Sequence, residues 1–114
     1  MPSEYFTTWA GYNAWANRRL YQACATLGEA DYLRPRAGAF GSLHALLNHV
    51  LVVDRIWIAR IDGRTVPTLR LDQVLYADLV ALKVARAAED ERLRHLVAGL
   101  SDTRLHEPLA WRDA

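Results

Sequence analysis

Residues 42–61 read SLHALLNHVLVVDRIWIARI, and the fold turns on how this stretch is read. Thirteen of the nineteen residues from Leu43 to Ile61 are apolar, too many for one helical stripe. Ser42 stands where an N-cap belongs, and Asp62-Gly63 stops the pattern near Ile61. The length would suit a membrane span. Asp54 and Arg55 near its middle are costly in hydrocarbon, however, so the stretch reads as a central bundle helix buried on most sides.

Helical patterns flank it on both sides. Upstream, Phe6, Trp9, Ala10, Asn13, Ala16, Leu20, Ala23, Cys24 and Leu27 recur at helical spacing, predicting a helix from Ser3, as N-cap, to Leu27. The connection from Gly28 to Gly41 contains Pro35 and Gly38 and breaks any helical pattern. Downstream, a loop containing Pro67 leads to Asp72 as a possible cap of a short helical entry. A third long helix follows from about Ala77 to Ala98, ended by Gly99. Its seam, Leu79, Leu82, Arg86, Glu89, Leu93, Leu96 and Leu100, alternates by three and four with two charges at the centre. The fold class is therefore all-α, an antiparallel helical bundle in a single domain.

Composition narrows the function. Fourteen basic against thirteen acidic residues leave a net charge of +1, so no broad basic field invites nucleic acid. Cys24 is the sole cysteine, which excludes an internal disulfide framework and a cysteine-based zinc cluster. With no basic and apolar leader after Met1, a cytoplasmic protein with no membrane partner is expected.

The candidate chemistry lies in polar residues at core-facing positions. His44, Asn48, Arg55 and Asp62 form a narrow polar face on the second helix. His49 lies about 140° away, flanked by Ala45, Leu46, Val52, Val53 and Ile56, where a buried imidazole needs a hydrogen-bond partner, a carboxylate or a metal. Asn13 and Glu89 are the partners expected, across one polar cavity between helices. The plainer reading of Arg86 and Glu89 is an ion pair at the seam edge. His95 and His106 read as surface residues, Ser101 as a turn residue, and the four tryptophans as packing.

Three ordered stretches are specific together: Tyr12-Asn13-Ala14-Trp15-Ala16-Asn17-Arg18-Arg19-Leu20, then Gly41 to His49, then Asp54-Arg55-Ile56-Trp57. With Arg86 to Asp90 and Leu109-Ala110-Trp111, they make the whole chain resemble the DinB family of bacterial helical bundles. The resemblance implies a four-helix bundle, usually a homodimer, holding a divalent metal (Zn, Ni or Fe) on three histidines. The first of these corresponds to His49. The other two come, in the family, from a fourth helix after the segment matching Leu109 to Trp111, so residues 1–114 are expected to be a domain incomplete at its C-terminus. The implied activity is metal-dependent transferase or isomerase chemistry using a low-molecular-weight thiol. The alternative is a metal-free module for helical dimerisation or small-ligand binding.

Overall fold

The computed structural model describes residues 2–108, and the Leu109–Trp111 segment lies outside them. Three long helices, α1 (Pro2–Thr26), α3 (Leu43–Asp62) and α4 (Leu79–Ala98), form an all-α bundle with two short helices, α2 (Glu29–Leu33) and α5 (Asp102–Leu105). In this bundle α4 is the middle element, packing against α1 along most of its length and against α3. Among the described residues no helix is long and apolar enough to cross a membrane.

Local chemistry sets most boundaries. Ser42 Oγ accepts the Ala45 amide at 3.0 Å, and α3 ends on Gly63, whose φ of 75° lies in the left-handed region that favours glycine. The start of α4 differs from expectation. Its cap is Asp78, whose Oδ1 accepts the Ala81 amide at 2.8 Å, while residues after Asp72 form no helical entry. α1 begins at Pro2, which places Ser3 in the first turn and not at the cap; proline suits a first helical position because its missing N–H has no acceptor there. Ser101 is a cap as well, accepting the Arg104 amide at 3.1 Å, and Arg104 in turn donates to the Ile61 carbonyl at the end of α3. The single turn of α2 interrupts a connection expected to be wholly irregular. Gly28 precedes it, and its residue Tyr32 is buried in the core.

The apolar core occupies one end of the bundle, where Tyr21, Cys24, Tyr32, Leu47, Leu51, Leu82 and Ala85 pack together. The seam of α4 is as predicted, with Leu82, Arg86 and Glu89 buried and Leu79, Leu93, Leu96 and Leu100 half-buried. α3 is oriented contrary to a simple apolar count. Its polar positions His44 and Asn48 face inward, while Leu46, Val50 and Trp57 are exposed. The reason is hydrogen bonding: Asn48 Oδ1 accepts the backbone amides of Leu75 at 2.8 Å and Tyr76 at 3.1 Å, strapping the long α3–α4 connection to the bundle. Trp9, Trp15 and Trp57 are also exposed, against their expected role in packing, and Trp111 lies outside the described residues.

Asn48→Ala leaves both amides without their acceptor. Urea unfolding should show a loss of about 2–3 kcal/mol, from about 1–3 kcal/mol per unpaired group with some relief by water at the half-buried loop. A loss below about 0.5 kcal/mol would show that the strap carries no load.

Candidate functional site

A charged layer crosses the bundle beside the apolar core. Arg86, 3% exposed, places Nη2 at 2.8 Å from Asp90 Oδ1 and 2.7 Å from Asp54 Oδ2, and its Nε donates to Asp90 at 3.0 Å. Asn13 and Asn17, one turn apart on α1, donate to the same Asp90 carboxylate at 3.1–3.2 Å. Glu89 is held by Arg55 at 3.6 Å and Arg92 at 3.0 Å, and Arg55 also donates to Tyr76 Oη at 2.8 Å while stacking over that ring. Thus the Arg86/Glu89 ion pair expected at the seam edge does not form. Each charge is buried and paired with other residues: Asp54 and Arg55 come from α3, while Asp90 and Arg92 are on α4 itself.

Burial raises the Asp90 carboxyl above the usual carboxylate range, against the pull of Arg86 and the Asn17 hydrogen bond. One guanidinium serves two carboxylates there, so the second negative charge of Asp54 adds to the effect. Burial likewise pushes the Tyr21 phenol up, partly offset by Arg86, and its hydroxyl has no hydrogen-bond partner among the described residues. Glu89 Oε2 and Arg86 Nη1 are similarly unpaired.

Next to this layer, the amide of Asn48 is oriented by the two loop N–H groups that its oxygen accepts. Its nitrogen therefore faces His44, donating to the His44 carbonyl at 3.0 Å and toward Nε2 at 3.3 Å. A donor facing Nε2 requires a lone pair there, so the ring proton sits on Nδ1 and meets the Tyr32 hydroxyl. The Tyr32 phenol is pushed up to about 12, chiefly by burial and then by neighbouring Cys24.

His49 is placed differently from expectation. It is half-buried, and neither Asn13 nor Glu89 is its partner, so the three do not share a cavity. Its Nδ1 lies 2.7 Å from the Leu71 carbonyl oxygen, and its ring stacks on Phe40 with centroids 3.9 Å apart. It is turned toward the loops flanking α3 because Phe40 before the helix and Leu71 after it enclose the ring. A carbonyl only accepts, so Nδ1 carries a proton, which leaves Nε2 as the ring nitrogen able to present a lone pair. That geometry suits one metal ligand, since ligating histidines commonly anchor the other ring nitrogen on a carbonyl. Among the described residues no three His, Cys, Asp or Glu side chains converge to hold an ion. His95 and His106 are exposed, as expected.

Asp90, Asp54, Asn17 and Tyr32 were not singled out from the sequence as site residues. The first and third were readable, because Asn13/Asn17 and Arg86/Asp90 are both i, i+4 pairs of polar residues on otherwise apolar faces. Tyr32 carried no such signal, lying in a connection read as irregular.

These features define an all-α bundle with a polar interior and an anchored histidine at its surface. The chain belongs to the DinB family, whose family model matches residues 1–113. No curated protein and no solved structure matches it.

The raised Asp90 has a testable sign. The folded state holds this proton more tightly than the unfolded state, so the contribution of Asp90 to stability is fully present below the unfolded value and declines as pH rises through the folded one. The difference in unfolding free energy between wild type and Asp90→Asn, followed by urea titration at a series of pH values, should move against wild type on rising from about pH 4. A difference moving in wild type's favour would mean that Arg86 outweighs desolvation.

Proposed function

We propose that the chain supplies His49 Nε2 as one ligand of a divalent metal, with Zn, Ni and Fe all suited to imidazole. The observation that carries this is the anchoring of the ring by the Leu71 carbonyl and Phe40, which leaves Nε2 as the open coordinating atom. A further helix, as the family resemblance implies, would supply the remaining ligands. The bound metal would act as a Lewis acid and stabilise a thiolate, in thiol-dependent transferase or isomerase chemistry. The chain's own part is to hold the imidazole in one tautomer and one orientation. Asn48 supports it indirectly, because the connection it straps down carries Leu71 four residues before Leu75.

A second observation favours association of two copies, with or without metal. Tyr5, Trp9, Tyr12 and Trp15 form a ladder of ring contacts along the solvent side of α1, with centroids 5.6–6.0 Å apart, and all four are roughly half exposed. Arg19 extends the ladder by stacking over Trp15. Soluble monomers rarely expose so large a contiguous apolar surface. Glu4 lies at one end and Arg18 and Arg19 at the other, so two antiparallel copies of α1 would bring opposite charges together under two-fold symmetry. A homodimer through this face is the alternative role if no metal is held.

One preparation, purified without an affinity tag, tests both. Titration with Zn²⁺ or Ni²⁺ should show binding that His49→Ala weakens at least about tenfold and His95→Ala leaves unchanged. Equal affinity in the His49 variant contradicts the metal role. Sedimentation should show a dimer that Trp9→Glu dissociates, and a wild-type monomer at micromolar concentration contradicts the dimer.

A further inference from the structure

The side-chain amide of Asn48 serves the α3–α4 connection with one end and faces a titratable ring with the other. Asn48 is 1% exposed, and its Oδ1 accepts both the Leu75 and the Tyr76 amide, so the group cannot turn over without losing two bonds. Its Nδ2 is thereby fixed among three acceptors: the His44 carbonyl at 3.0 Å, the Tyr76 carbonyl at 3.5 Å and His44 Nε2 at 3.3 Å. The strap at residues 75–76 therefore requires a lone pair on Nε2.

Nothing around His44 offsets a second proton on its ring. The residue is buried, and its side chain bonds only to Tyr32 and Asn48 among the described residues. From α2 it meets the Tyr32 phenol, and from the connection the polar backbone of Tyr76, whose ring carries the Arg55 guanidinium. In the adjoining core α1 presents Tyr21 and Cys24, and α4 presents Arg86, a cation already paired with Asp54 and Asp90. Glu29 and Asp78 line a pocket with Tyr32, but neither bonds to His44.

A proton placed on Nε2 would point N–H at N–H. Turning the Asn48 amide over relieves this, because Oδ1 then accepts from Nε2 while the Nδ1 bond to Tyr32 is kept. The same turn sets an NH2 group against the Leu75 and Tyr76 amides, which lose their acceptor. Both residues pack against the apolar core, so freeing them loosens that end of the bundle.

We propose that His44 and Asn48 form a pH-sensitive latch, in which protonation of the His44 ring reverses Asn48 and frees the connection at Leu75 and Tyr76 from α3. The latched form excludes the second proton and the freed form accepts it, so the latch is closed at neutral pH and weakens as pH falls. It needs no metal and works through a histidine other than His49.

Nuclear magnetic resonance of the intact chain from about pH 8 to about pH 5, the range over which imidazole side chains change charge, tests the latch. Ring shifts follow each of the four histidines. Hydrogen exchange, corrected for its intrinsic pH dependence, follows the amides. Protection of the Leu75 and Tyr76 amides should fall at least about tenfold, while amides in the middle of α4 keep theirs. The midpoint should be that of the His44 ring and not that of His49. Asn48→Asp gives protonated Nε2 an acceptor and retains an oxygen for the loop amides, so their protection should rise as pH falls. A fall in that variant matching wild type overturns the part given to Asn48. In wild type, constant protection while His44 titrates overturns the latch, as does a His44 that stays neutral throughout or a loss of protection in α4 at the same pH. The wild-type outcomes decide the matter whether or not the variant folds.

Discussion

The guanidinium of Arg86, buried midway along α4, is the interaction on which the rest of the structure depends. Burying a charge costs several kcal/mol unless it is paired and hydrogen-bonded. Arg86 meets that requirement only if Asp90 lies one turn further along α4 and Asp54 arrives from α3 at the same height. Asp90 in turn needs the two asparagines of α1. A shift of one helix by a turn, or a rotation by one residue, would leave at least one of these charges unpaired. Hydrophobic burial holds the helices together without direction, and the charged layer selects one register among them.

That register explains why α3 turns its polar stripe inward. Once Asp54 and Arg55 are directed at α4, His44 and Asn48, about three and two turns earlier on a nearby face, also point into the bundle. There they find partners: Tyr32 for His44, and the loop amides of Leu75 and Tyr76 for Asn48. The exposed apolar stripe of Leu46, Val50 and Trp57 on α3 is the geometric complement of this arrangement, as is the aromatic ladder on the outer face of α1. The polar core and the unpartnered apolar surface thus have a common origin. The anchored geometry of His49 belongs to the same chain of dependence, because Leu71 is in the connection that Asn48 holds.

The helical architecture was legible because its signals are local. Ser42, Gly63 and Gly99 mark helix ends through backbone chemistry that requires no knowledge of neighbours, and the alternation from Leu79 to Leu100 names the seam directly. Orientation about the helix axis was not legible in α3. With thirteen apolar residues of nineteen, every face looks buried, and only the positions of Leu75, Tyr76 and Arg86, far away in sequence, decide which face is inside. For the same reason His49 and His44 exchanged their expected environments: an apolar flank on a helical wheel says nothing about whether another helix covers it. Asn13 and Glu89 were identified as core-facing polar residues, but their partners were long-range and lay on other helices or one turn further along α4.

The most direct measurement is a double-mutant cycle on Arg86 and Asp54 that joins α4 to α3, using urea unfolding of Arg86→Met, Asp54→Asn and the double variant. If the buried guanidinium fixes the register, Arg86→Met alone should cost about 3–5 kcal/mol, because it strands Asp90 and Asp54 together. The pair should couple by more than about 1 kcal/mol. Additive effects within about 0.5 kcal/mol, with Arg86→Met near wild-type stability, would show that the apolar core alone positions the helices and that the charged layer merely accompanies it.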